Sequence, residues 1–196
     1  SVDVDVDSNI EVVFNAPIWR GTGSILVSDG ASDTRTISVT DSSQVSISGS
    51  KLIINPKLDL SSGTSYFVTI DNGALKDQSG YGFGGISSTK TLDFATVDKI
   101  APLLLQSDPA NNTKNLAASS NFEFTFDEAI QSRSGNIVFI DDQNNQTLIS
   151  INSAQVSISG STLTINPSQD LASDNKYSVK IEAGAIKDSS GNANAL

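Results

Sequence analysis

The sequence predicts an all-β protein built as two tandem β-sandwiches, and three observations carry that prediction. First, Gln44–Pro56, QVSISGSKLIINP, returns 111 positions later as Gln155–Pro167, QVSISGSTLTINP, with two changes in thirteen residues. A near-copy at a fixed offset marks a repeat architecture. Second, apolar residues alternate with polar ones in short period-two runs, the pattern of half-buried strands, and no stretch carries the period of a long amphipathic helix. Third, clusters of Gly, Asn, Asp, Ser and Pro separate these runs, giving seven or so strands per ~100 residues, a sandwich count. With 196 residues and a period near 111, two domains follow, 1–98 and 99–196.

Composition narrows the function classes. The net charge is −10, from 12 basic and 22 acidic residues. Phosphate binding needs clustered Lys and Arg, so neither nucleic acid nor an anionic membrane is an expected partner. Such a surface tolerates Ca²⁺, which prefers oxygen ligands, although acidity also serves simply to keep a surface protein soluble. The chain has no Cys, His or Met. Disulfides, Cys/His zinc sites and a Ser-His-Asp triad are therefore excluded. Without Met, Ser1 is not an initiator, so a processed or internal segment is expected. No apolar run approaches the ~20 residues of a membrane span, and SVDVDVD lacks the basic region of a signal peptide.

In chain order, Val2, Val4 and Val6 alternate with Asp3, Asp5 and Asp7 and predict a first strand. Ile10, Val12 and Phe14 predict a second, ended by Pro17, which has no N–H for a ladder. Ser24–Ser28 and the Ile37/Val39 pair supply the next two. In the repeated stretch, a two-residue turn at Gly49-Ser50 sets Ser48 opposite Lys51, Ile47 opposite Leu52 and Val45 opposite Ile54. All four apolar side chains then share one face, and Gly at the first turn position suits a type II′ turn. Tyr66, Val68 and Ile70 form the next inward face, with Tyr66 placed as a corner tyrosine. Asp77 to Gly85 is a Gly-rich loop, and Thr91 to Thr96 closes the first copy.

Val97 to Pro102, VDKIAP, reads as a short stiff joint, because a residue before Pro is held extended. Leu103 to Leu105 then begins a strand. Phe122, Phe124 and Phe126 replace Ile10, Val12 and Phe14; Tyr177, Val179 and Ile181 replace Tyr66, Val68 and Ile70; GAIKDSSG replaces GALKDQSG. The first copy has no counterpart of Leu103–Gln106, so its first strand is expected to be shortened. The second has no counterpart of Thr91–Thr96, so its last strand is expected to be missing. A cut from a longer array, disorder at the end, and strand donation between chains at the open edge of 99–196 all fit that asymmetry.

The segments SNIEVVFNAPI, SGSKLIINP, SSGTSYFVTIDNGALKDQSG and the DKIAP joint, in this order and twice, resemble the bacterial Ig-like domain family of S-layer proteins and giant repetitive surface adhesins. The resemblance implies two tandem immunoglobulin-like Greek-key β-sandwiches joined by a short stiff linker. It implies a spacer, stalk or assembly module at the bacterial cell surface or in secreted proteins, partnered by neighbouring repeats, without catalysis. It also implies Ca²⁺ at domain joints. In such a sandwich the chain enters at the pole that holds the second-to-third strand loop and the loop before the last strand. Asp98, Asp127, Glu128, Asp188 and Asn192 are the oxygen donors expected there; the alternative is that they are solvated turn residues.

Other candidates are weaker. Asp3, Asp5 and Asp7 imitate the opening of an EF-hand loop, but Ser8 and Phe14 occupy the positions that need Gly and Glu. Asp141-Asp142 has the residues of a glycosidase pair but reads as a turn. Trp19 and Tyr81 are the expected ligand-binding residues if the pole loops form an adhesive or carbohydrate-binding module, the alternative to the spacer; Trp19 is Gln131 in the second copy. Asn111-Asn112-Thr113 and Asn145-Gln146-Thr147 match the glycosylation sequon. A third class, an appendage of an enzyme, places any catalytic domain outside this chain.

Overall fold

The repeated stretch forms a hairpin in both copies. In the computed structural model, which describes residues 3–195, β5 (Val45–Ser48) and β6 (Lys51–Ile54) pair antiparallel with Ser48 opposite Lys51, Ile47 opposite Leu52 and Val45 opposite Ile54. That is the register the alternation predicts. Gly49 has φ +60° while Ser50 stays on the negative side, as a turn with its left-handed residue first requires. The base of the hairpin is tied as well. The side-chain oxygen of Gln44 accepts the Lys57 N–H beyond Pro56, and its carbonyl accepts the N–H of Asn55.

The first unit spans residues 1–98. One sheet has β1 (Ile10–Val13), β6 and β5 in that order. The other has β4 (Thr34–Ser38), β3 (Ser24–Ser28), β7 (Ser65–Ile70) and β9 (Asp93–Ala95). A ribbon joins β2 (Trp19–Arg20) to β8 (Leu75–Lys76). Val12, Val45, Leu52 and Ile54 from one sheet and Ile25, Val27, Ile37, Tyr66, Val68 and Ile70 from the other share one buried cluster. Two inner faces closing on each other, with strands pairing across long sequence separations, is a Greek-key sandwich. Phe94 on β9 stacks on Tyr66 with ring centroids 5.8 Å apart.

The second unit, 99–196, repeats this plan with different edges. Its first sheet has four strands, β10 (Leu104–Asp108), β11 (Phe122–Phe126), β16 (Thr162–Ile165) and β15 (Val156–Ser159). Its second has three, β14 (Gln146–Ser150), β13 (Asn136–Asp141) and β17 (Tyr177–Ile181). The ribbon is β12 (Gln131–Ser132) with β18 (Ile186–Lys187). Among the described residues, β10 therefore adds an edge that β1 lacks, and no strand flanks β17 as β9 flanks β7.

One expected strand is corrected. Val2 lies outside the described residues, and from Asp3 to Asp7 only Val4 forms a bridge, parallel to Thr96. The Val4 N–H donates to the Ala95 carbonyl at 2.8 Å, and then a turn closes as the Ser8 N–H donates to the Asp5 carbonyl. The segment carries the chain from the β9 sheet to the β1 sheet, so it cannot stay in one ladder. Two-residue β2 and β8 were not expected, because so short a pair leaves no periodicity to read.

Tyr66 is a corner residue in fact. Its hydroxyl accepts the Ser61 N–H at 3.0 Å and donates to Asp33 Oδ2. Tyr177 repeats the first bond with the Ala172 N–H at 3.0 Å. Among the described residues, the first unit alone adds a charge network here, in which Arg35 donates to both oxygens of Asp33 at 2.7 Å and reaches the Leu58 and Asp59 carbonyls. Asn145 and Thr147 occupy those positions in the second unit. The Arg35 hydrogen bonds hold the Asp33 carboxyl below its ordinary range, against partial burial and with help from Tyr66.

Two predictions follow from these contacts. Gly49→Ala and Gly160→Ala, at φ +60° and +58° with open space around a Cβ, each lower the stability of their unit by about 1–2 kcal/mol through the left-handed backbone alone. Chemical denaturation reads this, with Ser50→Ala as the near-neutral comparison. Because the Asp33 pKa is lower folded than unfolded, its stabilisation is complete above the unfolded carboxylate pKa and is lost as pH falls through the folded value. Tyr66→Phe is therefore expected to cost more than Tyr177→Phe at pH 7. Asp33→Asn is expected to flatten the acid limb of the first unit's melting profile below about pH 4.

Candidate functional site

The residues expected to hold a cation are distributed over both units. Asp98 closes the first; it is half-buried and its Oδ1 accepts the Ser62 hydroxyl at 3.2 Å. The other four belong to the second unit, where Asp127-Glu128 follows β11 and Asp188–Asn192 follows β18. Asp127 is exposed, and its Oδ1 accepts the Leu103 N–H at 2.8 Å while its own N–H donates to the Leu103 carbonyl. It clamps the start of β10.

Asp188 is fully buried. Burial raises its pKa, but the side-chain and backbone N–H groups of Asn192, with those of Gly191 and Ser190, outweigh it and hold the carboxyl ionised. Glu128 is half-buried and brings a carboxylate oxygen within 4.8 Å of one from Asp188. Oxygens bound to one Ca²⁺ at about 2.3–2.6 Å lie no further apart than about 5 Å, so this pair fits a hard cation in donor type and spacing. Asp127, committed to β10, fits less well.

The first unit shows what the same loop does otherwise. Asp77 is exposed, and its Oδ1 accepts the Tyr81 N–H at 2.9 Å. Its N–H also donates to the Tyr81 carbonyl, as Asp188 N–H donates to the Asn192 carbonyl. The shared Lys-Asp-x-Ser-Gly pattern is thus a self-closing loop, with Gly80 and Gly191 at φ +88° and +100°. Burial distinguishes Asp188 from Asp77, and no local pattern announces it.

Trp19 and Tyr81 sit along opposite edges of β8: Trp19 pairs with Lys76, which bridges to Gly82 on its other side. Trp19 is 41% exposed and, with Arg20, Ile47 and Lys76, lines a hollow of about 500 Å³. Tyr81 projects at 76% exposure and does not line it. Sequence reading missed Arg20 and Lys76 here because the β2–β8 ribbon that gathers them is too short to show a period. Asp141 accepts the N–H groups of Gln143 and Asn145 in a turn; the Asn145 side chain leads the causes that lower its pKa. Asp3, Asp5 and Asp7 face solvent.

A family model described as bacterial Ig-like domain matches residues 1–96 and again residues 98–196. Searches of curated proteins and of solved structures return no match. The family matches fall on the two sandwiches, each with its corner tyrosine, glycine-turn hairpin and Lys-Asp-x-Ser-Gly loop, and the chain belongs to the bacterial Ig-like domain family as two tandem copies.

Proposed function

We propose that this pair of sandwiches is a structural spacer and assembly module of a secreted or cell-surface bacterial protein, of the S-layer, adhesin-stalk or extracellular-fibre kind, without catalysis of its own. One observation carries the reading: in the repeated hairpin every inward residue is kept, and both substitutions fall on the outward face. In the hairpins the inward Val, Ile, Leu and Ile are unchanged, while Lys51 and Ile53 become Thr162 and Thr164. Lys51 pairs with Glu11 at 2.8 Å on the outer face, a surface contact of small weight. The Asp33–Arg35 pair and Trp19 are likewise present in one copy only.

The second reading, an adhesive or carbohydrate-binding module, is favoured by one feature, the hollow beside Trp19. A glycan array separates the two. The spacer reading predicts no saturable binding and no effect of Trp19→Ala; saturable binding abolished by Trp19→Ala overturns it. The cation belongs to the same proposal, with Ca²⁺ on Glu128 and Asp188. Calorimetric titration is expected to show Ca²⁺ heat that is lost in Glu128→Gln, with a melting point that falls in chelator. An unchanged melting point and no heat remove Ca²⁺ from the reading.

A further inference from the structure

The turn between β7 and β8 carries a reactive pair. Asn72 is exposed, and it is the one asparagine of the sequence that precedes a glycine. That pair is especially prone to deamidation, because the next residue's backbone nitrogen can attack the side-chain carbonyl carbon and glycine has no Cβ to hinder it. Here the fold holds that nitrogen still. The Ala74 N–H donates to the Asp71 carbonyl at 3.2 Å and Gly73 sits at φ +76°, the left-handed third residue of a type II turn. The Gly73 N–H donates to the Phe83 carbonyl at 2.8 Å, and the Gly73 carbonyl accepts the Thr22 N–H at 2.9 Å. The second unit builds the same turn without the reactive amide. Gly184 has φ +76°, its N–H donates to the Asn194 carbonyl at 3.0 Å, and Ala183 stands where Asn72 does.

Backbone encloses the turn closely. A Cβ on Gly21 would lie 2.0 Å from the Gly73 carbonyl oxygen, and one on Gly85 would lie 2.8 Å from the Asn72 nitrogen. Phe83 packs on the core and meets Phe14 edge-on, with ring centroids 5.3 Å apart. A main chain lengthened by one methylene has no room here unless Thr22 or Phe83 is released. We propose that Asn72-Gly73 is a self-modification site, at which opening of the Gly73–Phe83 hydrogen bond starts deamidation and the isoaspartate formed loosens the 80–85 loop. In the opened turn the Gly73 nitrogen gives its proton to hydroxide and bonds to Asn72 Cγ. The side-chain nitrogen takes up a proton and leaves as ammonia, closing a succinimide. Water then opens the ring. Cleavage of the new bond leaves Asp, whereas cleavage at the original backbone carbonyl leaves isoaspartate, with the main chain routed through the side-chain carbons. Water is the only co-reactant. This goes beyond the spacer reading and stands independently of it.

The experiment ages the whole 196-residue protein at mildly alkaline pH, with and without denaturing urea, and follows it by peptide mapping and amide exchange. Expected are the mass gain of an amide becoming an acid at Asn72, two separable products from that site, and a rate higher by about tenfold or more in urea, where no opening step is needed. In the aged native protein, exchange at Gly73 and Thr22 quickens while Gly184 keeps its protection. Asn72→Ala, which installs the second copy's residue, is expected to abolish the mass gain and to keep both amides protected through the same ageing. That comparison separates the modification from general loss of folding. Asn72→Asp supplies the charge without the extra methylene and is expected to leave both amides protected. An intact Asn72 after ageing, equal rates with and without urea, unchanged exchange after conversion, or exchange as fast in Asn72→Asp as in the aged protein would each overturn the proposal.

Discussion

Most of each sandwich hangs on one constraint, a two-residue turn whose first residue must adopt a left-handed backbone. Gly49 and Gly160 meet it at φ +60° and +58°. The turn fixes the register of β5 on β6, and the turn carbonyls do more. Gly49 accepts the Ile18 N–H and Ser50 accepts the Phe14 N–H, so the crossover leaving β1 is pinned to the hairpin tip. Gly160 and Ser161 accept from Ile130 and Phe126 in the same way. Because β6 and β16 are flanked on both sides, a one-residue slip would reverse the faces of the hairpin and break the pairing with β1 or β11. Gln44 and Gln155 lock the other end by accepting the N–H three residues beyond the hairpin, from Lys57 and Ser168.

Against that common frame, the differences between the copies have physical meaning. Within the hairpins, both substitutions fall where they cost little, on the outward face in high dielectric, as with Lys51 and its ion pair to Glu11. Where a polar contact stabilises a buried corner, one copy adds to it and the other leaves the minimum. Tyr66 gains Asp33 and Arg35, whereas Tyr177 keeps the backbone bond alone. The first turn of β3 and that of β13 are held alike by different acids, Asp71 accepting the Ser24 N–H and Glu182 accepting the Asn136 N–H, both at 2.8 Å. The geometry is retained and the residue is free to change within its chemistry.

Among the described residues, the sheet edges are where the copies part. Among the described residues, β10 covers β11 in the second unit while β1 has no such neighbour, and β9 covers β7 in the first while β17 has none. A sheet edge carries unpaired donors and acceptors that readily take another strand. These edges, the buried Asp188 beside Glu128 and the hollow by Trp19 are where the two units differ most from each other.

Fold class, repeat boundaries, hairpin register and corner tyrosines were legible in the residues, because each rests on a local rule: period-two alternation, glycine at a turn, proline at a strand end. The family resemblance rested on the same segments. The first expected strand failed for a nonlocal reason. Alternation of Val and Asp is compatible with a strand, but residues 3–8 must cross from one sheet to the other, and only Val4 forms a bridge there. The β2–β8 ribbon escaped notice because two residues have no period. Among the candidate site residues, donor chemistry was readable from Asp and Glu alone. Only the tertiary structure decided that Asp127 serves β10, that Asp188 is buried and ionised beside Glu128, and that Trp19 and Tyr81 lie on opposite edges of one strand. Those outcomes depend on which distant segments meet, and burial and pairing across the chain are not properties that neighbouring residues encode.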